Sequence, residues 1–190
     1  MMTLAQLTDF NKVHKKAGTY KRCPPEVIER YQGILPEILT ATWKESGFQV
    51  FSEGFLWSVN PDEFRDVVAG FVHEYQIEDV HVIFRTAFGD MILSYRNKFY
   101  HFCAVTMNHG ELMGSLNAIL EVHLAEIEFL NSVFFFDLFK KAKKKLGEIS
   151  EDEVYGFFPA IQAGGDLVVE NLRIVNLLSH LHLLAQPSTG

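Results

Sequence analysis

The chain has 190 residues, 48% of them hydrophobic and 22% charged, enough to bury a core without staples and too apolar for a disordered tail. Its net charge of −7 argues against a nucleic-acid binder held by bulk electrostatics. The only two cysteines, Cys23 and Cys103, lie far apart, so no disulfide framework or zinc-ribbon spacing exists and a reducing compartment is expected.

In chain order, the first sixteen residues lack the apolar stretch of a signal peptide. The densest aromatic run, Val133 to Phe136, is broken at once by Asp137, well short of the roughly 20 apolar residues that span a bilayer. A cytoplasmic protein without a membrane partner is therefore expected. After Cys23-Pro24-Pro25, residues Glu26 to Lys44 read as helix, split by Pro36 and ended by Gly47. Phe48 to Phe51 and Phe55 to Val59 read as a hairpin around Ser52-Glu53-Gly54. Asn60-Pro61-Asp62-Glu63 is a strong helix start, predicting a helix with Phe64, Val67, Val68, Phe71 and Val72 on its apolar face.

A meander follows: Val80 to Phe88, a turn at Gly89-Asp90, Met91 to Arg96, a turn at Asn97-Lys98, and Phe99 to Val105. Asn108-His109-Gly110 closes it, with a seam at Met107 to Gly110. From Leu112 to Leu146 the apolar period is helical, with a division expected at Asn131-Ser132 and an end at Gly147. Ser150-Glu151-Asp152-Glu153 has capping-box spacing, yet Val154 to Pro159 reads as extended, and Gly164-Gly165 as a turn. A last helix is predicted from about Val168 to Ala185. The expected fold is α+β: an antiparallel hairpin and meander sheet packed with helices, and a helix-rich C-terminal half. The expected units are residues 1–110 and 111–190, packed together.

No constellation for catalysis emerges. His180-x-His182 lies on a helical period, where two residues span about 200° and cannot share one ion. His73-Glu74 lacks the second histidine of a zincin helix. His123 on its apolar stripe reads as a packed, hydrogen-bonded histidine. Cys103 reads as a strand filler; Cys23, beside Lys21 and Arg22, is the one thiol whose pKa those charges could lower. No G-x-S-x-G elbow or phosphate loop occurs. No enzyme activity, cofactor or metal is expected. The basic run Lys140, Lys141, Lys143, Lys144 and Lys145 reads as cations answering a helix C-terminus rather than as a polyanion site.

The acids say more. From Glu53 to Asp90, eight acids including Glu74 face only Arg65 and Arg85, a net of −6; from Gly147 to Gly190, six acids face Arg173, a net of −5. The plain reading is solubility. The sharper one is a surface that mimics phosphate and is steered onto a basic partner.

Several stretches carry a resemblance. Pro25-Glu26-Val27-Ile28 to Tyr31, Leu35-Pro36, Trp43, Gly47-Phe48, Gly54-x-x-Trp57-x-x-Asn60-Pro61 and Ala87-Phe88-Gly89-Asp90 resemble a GAD-like domain. Leu138-Phe139-x-x-Ala142-x-x-x-Leu146-Gly147, Asp152-Glu153-x-Tyr155-Gly156-Phe157-x-Pro159-Ala160, Gly164-Gly165 and His180 to Gln186 resemble the domain usually fused to it. The resemblance runs from about Pro24 to Gln186, with Leu112 to Phe136 similar only in character. Members with known roles are immunity proteins of bacterial type VI secretion systems, which bind and silence a cognate DNase toxin. The resemblance therefore implies a secreted DNase toxin as partner, and no nucleic acid. It also implies that Trp57, Asn60, Pro61, Gly89, Tyr155, Gly156, Phe157 and Pro159 are fold determinants. The acids Glu53, Asp62, Glu63, Asp66 and Asp90 are then the expected toxin contacts. The rivals are a regulatory or adaptor domain of the same fold, and a small-molecule-binding or hydrolytic protein with a histidine-lined pocket.

Overall fold

A computed structural model describes residues 2–73 and 75–186, so Met1, Glu74 and the last four residues lie outside the description. Seven strands form one antiparallel sheet in strict chain order. They are β1 (Lys16–Lys21), β2 (Phe48–Phe51), β3 (Leu56–Ser58), β4 (Val80–Thr86), β5 (Met91–Tyr95), β6 (Lys98–Cys103) and β7 (Asn108–Leu112). The hairpin and meander lie where the extended runs between turn residues place them, with β4 pairing β5 through Val80↔Tyr95 and β5 pairing β6 through Tyr95↔Lys98. Nearly every residue of β3, β4 and β5 is buried, on both faces. That two-sided burial explains their density of apolar residues.

Proline and glycine set the boundaries of the early helices. Pro25 occupies the first turn of α2 (Pro25–Tyr31), and Pro36 precedes α3 (Glu37–Ser46) because it cannot donate to a continuing ladder. Gly47 ends α3 at φ 69°, and a Cβ there would lie 2.5 Å from the Lys21 carbonyl. Only glycine lets the chain turn so closely beneath β1.

The structure adds to or corrects the sequence expectations at four places. First, β1 is an edge strand that two lysines, Thr19 and Gly18 disguise. It is preceded by α1 (Thr8–Val13), whose Phe10 is fully buried. Second, the helix after Asn60 is a 3₁₀ turn (Pro61–Phe64) followed by the short α4 (Arg65–Ala69). The Asn60 side chain does accept from the Asp62 N–H at 3.1 Å, but Phe71 and Val72 lie beyond the helix end.

Third, the long helical stretch is several pieces. Met107 turns at φ 60° into β7, which carries the sheet to Leu112, through the expected seam. Then come α5 (Leu116–Ala118), a π-helical turn (Ile119–His123), α6 (Ile127–Phe134) and α7 (Phe136–Leu146). The break falls at Phe135, which is left-handed at φ 56°, not at Asn131-Ser132. Fourth, Leu172 to Asn176 is a strand, not the start of the last helix. β8 (Glu153–Phe157) pairs with β9 (Leu172–Asn176) in a separate two-stranded sheet. Helix α8 (Leu177–Leu184) follows, capped by the Asn176 side chain. A buried strand needs a partner for its backbone groups, and helical spacing alone does not register that demand.

One continuous core joins both halves, from Leu4 to Leu181. The β4–β5 turn is its socket. The Tyr155 N–H donates to the Ala87 carbonyl at 2.9 Å, and the Phe88 ring packs against Phe135, Tyr155 and Phe157. Gly89 lies so close to Leu181 that a Cβ would approach it to 2.9 Å. At the other end, the Glu121 carboxylate accepts from the backbone N–H groups of Thr8, Asp9 and Phe10 at 2.7, 2.7 and 2.9 Å. It thus satisfies three orphan donors at the start of α1.

Candidate functional site

The five acids expected at a partner surface are placed very differently. Asp90 is not at the surface at all. It is fully buried in the β4–β5 turn, where one carboxylate oxygen accepts from the Thr86 hydroxyl at 2.8 Å and the other has no hydrogen-bond partner. A turn residue is usually solvated; here the C-terminal half has covered the turn. Burial pushes the Asp90 pKa up to about 6, against the pull of Thr86, Cys103 and the Val105 and Ala104 backbone. The folded value lies above the ordinary 3.8, so this group's contribution to stability falls as pH rises through roughly 4 to 6. The stability of Asp90→Asn relative to the wild type should therefore grow with pH across that window and level off above it. Urea midpoints from pH 4 to 8 measure this, and a flat difference would remove the carboxyl from the account.

Asp62 is tied inward. It accepts from the Tyr31 hydroxyl at 2.8 Å and from Arg30, with Arg65 at 3.8 Å. Burial alone would raise its pKa, but the hydrogen bonds from Arg30 and Tyr31 and the charges of Arg30 and Arg65 hold it below the usual carboxylate range. Glu53 sits in the left-handed turn between β2 and β3 and pairs with Lys143 at 2.8 Å. Lys143 also reaches Glu148 at 3.2 Å, so one member of the basic run on α7 is already neutralised by two acids. Asp66 is exposed on α4.

Glu63 belongs to a larger arrangement. It pairs with Lys21 at 2.6 Å on the rim of a notch of about 130 Å³ whose opposite rim is Glu151 and Asp152. The two acidic stretches, remote in sequence, thus share one concavity. Its floor is Arg85, only 1% exposed. The guanidinium lies 4.3 Å from the Trp57 ring centroid and donates to the carbonyls of Glu151 at 2.9 Å, Thr86 at 3.3 Å and Ser150 at 3.5 Å. Its burial lowers its pKa, yet the group stays charged at neutral pH. Tyr20 closes one side, its hydroxyl donating to the Ser58 carbonyl at 2.9 Å.

The far rim is fixed by its own bonds. Glu153 accepts from the Ser150 N–H at 2.8 Å and hydroxyl at 2.9 Å, and the Asp152 carbonyl accepts from the Leu177 N–H at 2.8 Å. Glu151 and Asp152 are consequently exposed carboxylates on an anchored turn. Val59, Phe64, Leu177 and the 37%-exposed Leu178 supply the apolar lining. The notch is small, with Glu63 paired to Lys21 on one rim and the exposed Glu151 and Asp152 carboxylates on the other.

Arg85, Tyr20 and the leucines of α8 were not foreseen. Arg85 was readable only as a charged residue inside the apolar alternation of Val80 to Phe88. Neither thiol is activated: burial pushes Cys23 up to about 11, opposite to the expectation from its basic neighbours, and Cys103 up to about 12. His14, hydrogen-bonded to the Leu124 carbonyl at 2.6 Å, is pushed by burial down to about 4. On α8, His180 is buried and His182 exposed, on different faces. Among the described residues no three His, Cys, Asp or Glu side chains could hold a metal ion, and no helix is long and apolar enough to cross a membrane.

Comparison with known proteins gives three findings. Residues 6–108, more than half the chain, match the family model of the GAD-like domain. Residues 121–187 match the model described as T6SS immunity protein Tdi1, C-terminal. The crystal structure of Atu4351 from Agrobacterium tumefaciens is similar in fold, with a TM-score of 0.78 at 19% identity over 95% of this chain and 88% of that one. No curated protein matches the chain.

Proposed function

The chain belongs to the GAD-like domain family and carries a type VI secretion immunity domain, and on that premise we propose that it binds and neutralises a cognate DNase toxin by direct complex formation. Its role is that of an inhibitor rather than an enzyme, acting in the cytoplasm of the producing bacterium. The observation that carries this reading is the notch in which Glu63, Glu151 and Asp152 meet over Arg85. A DNase must hold a polyanion, so its cleft is basic, and an anchored acidic notch is complementary to the lysines and arginines that would otherwise hold phosphates. Glu63 is assigned from the expected acids; Asp66 and Glu53 are left to the rim, where they steer more than they hold. Residues 1–110 and 111–190 act as one binding unit, because each supplies one side of the notch.

The test is co-purification and protection. The cognate toxin, made as an inactive variant, should co-purify with this chain at one to one, and equimolar protein should stop the active toxin from degrading DNA. Glu63→Lys with Asp152→Lys should slow association about tenfold or more at low salt, with the deficit shrinking as salt rises. Unchanged DNA degradation at several-fold excess of the protein would refute neutralisation. Association that the double reversal leaves unaltered at every salt concentration would move the interface away from the notch.

A further inference from the structure

The opposite flank of α8 borders a second concavity. After β8 turns Phe157 inward, Phe158 points out and is 44% exposed. The loop then folds back so tightly that a Cβ on Gly165 would lie 2.1 Å from the Pro159 carbonyl. This loop forms one wall of a groove of about 810 Å³, and His180, Leu183 and Leu184 of α8 form the other. Among the described residues, no Asp, Glu, Lys or Arg lines it. Leu183, on its edge, is 56% exposed.

Of the polar residues that line this largely apolar groove, His73, Gln162 and Gln186 are exposed and His180 is buried. The His180 side chain is 7% exposed, fits over Gly156, where a Cβ would lie 2.8 Å from the ring, and its ring nitrogens have no hydrogen-bond partner among the described residues. Burial lowers its pKa, so the ring is neutral and offers one donor and one acceptor. The ring lines the groove and its nitrogens are not sealed in the core, so a group entering the groove can pair with them.

The size of the notch decides what covers the groove. A stable inhibitor interface buries about 800 Å² per partner, a disc of roughly 16 Å radius. A notch of about 130 Å³ fills only the centre of such a disc. Helix α8, about 10–12 Å across, separates notch from groove, with Leu177 and Leu178 on one flank and His180, Leu183 and Leu184 on the other. A partner seated on the notch therefore straddles α8 and reaches the groove.

We propose that this groove is the apolar half of the toxin interface, taking one uncharged aromatic or long aliphatic side chain of the bound toxin whose adjoining polar group hydrogen-bonds His180. The proposal rests on the neutralisation reading and adds its anchor: the notch steers, and the groove holds. Two variants at exposed positions test it, Ala163→Trp, which fills the groove, and Phe158→Ser, which removes its lip. Binding of the inactive cognate toxin is followed kinetically at low and high salt, with melting temperatures as the control on folding. Each variant should dissociate at least tenfold faster, by the same factor at both salt concentrations, with its melting temperature kept. Dissociation within twofold of the wild type in both would overturn the groove and leave neutralisation standing. Failure of the wild type to bind the toxin would overturn neutralisation, and this inference with it.

Discussion

Truncating Phe157 to alanine is expected to destabilise the protein by about 3–5 kcal/mol, the range for removing a fully packed ring and leaving its cavity. Phe157 is 4% exposed and stacks near the Phe88 ring at 6.2 Å, at the socket where the β4–β5 turn receives β8. Little can collapse into the gap, because Phe88 is itself held between Phe135 and Tyr155. The neighbouring Phe158→Ala, with its ring 44% exposed, should cost under about 1 kcal/mol. Urea unfolding of both variants at constant slope measures the contrast. Equal small losses would show that the two halves do not rely on this ring.

Arg85→Ala is the second large effect, about 2–4 kcal/mol. A buried guanidinium bonded to carbonyls makes charge-assisted hydrogen bonds, each worth about 1.5–3 kcal/mol, set against the cost of keeping the cation out of water. Removal strands the Glu151 carbonyl, empties the space over Trp57 and releases the turn that holds Glu151 and Asp152 at the notch. Arg85→Lys keeps the charge but not the planar fork that spans two carbonyl sites while stacking on the indole, and should recover less than half of the loss. If the proposed neutralisation holds, toxin association should weaken in both variants even where the protein remains folded. Full stability in Arg85→Ala would mean that the turn is held by Glu153 and Leu177 alone.

The two effects define how the halves are joined. Phe157 brings apolar area to the β4–β5 turn, and Arg85 brings hydrogen bonds to the same turn from the other side. The turn motif Ala87-Phe88-Gly89-Asp90 is thus an assembly element: Ala87 accepts from Tyr155, Phe88 packs, Gly89 clears Leu181, and Asp90 fastens the turn to Thr86. That placement is why Asp90 is absent from any partner surface.

Local chemistry was enough for the elements it controls directly. Pro36 divided two helices, Gly47 and Gly147 ended theirs, Asn60 capped its turn, and extended apolar runs bounded by turn residues placed β2 to β6, because each depends on a backbone preference or a neighbour a few residues away. The motifs likewise pointed to the family from residue identity alone. Tertiary structure decided the rest. β1 and β9 are strands because β2 and β8 offer them hydrogen bonds, a demand with no local signature in Lys16–Lys21 or Leu172–Asn176. Charge could be counted along the chain, but its use could not: Asp62 turns to Arg30, Glu53 to Lys143, and Asp90 into the core. Meanwhile Glu63, Glu151 and Asp152 meet over an arginine that looked like one residue of a strand. A carboxylate's role is set by what folding brings within a few ångströms of it, since both desolvation and Coulomb energy depend on that distance and not on sequence separation.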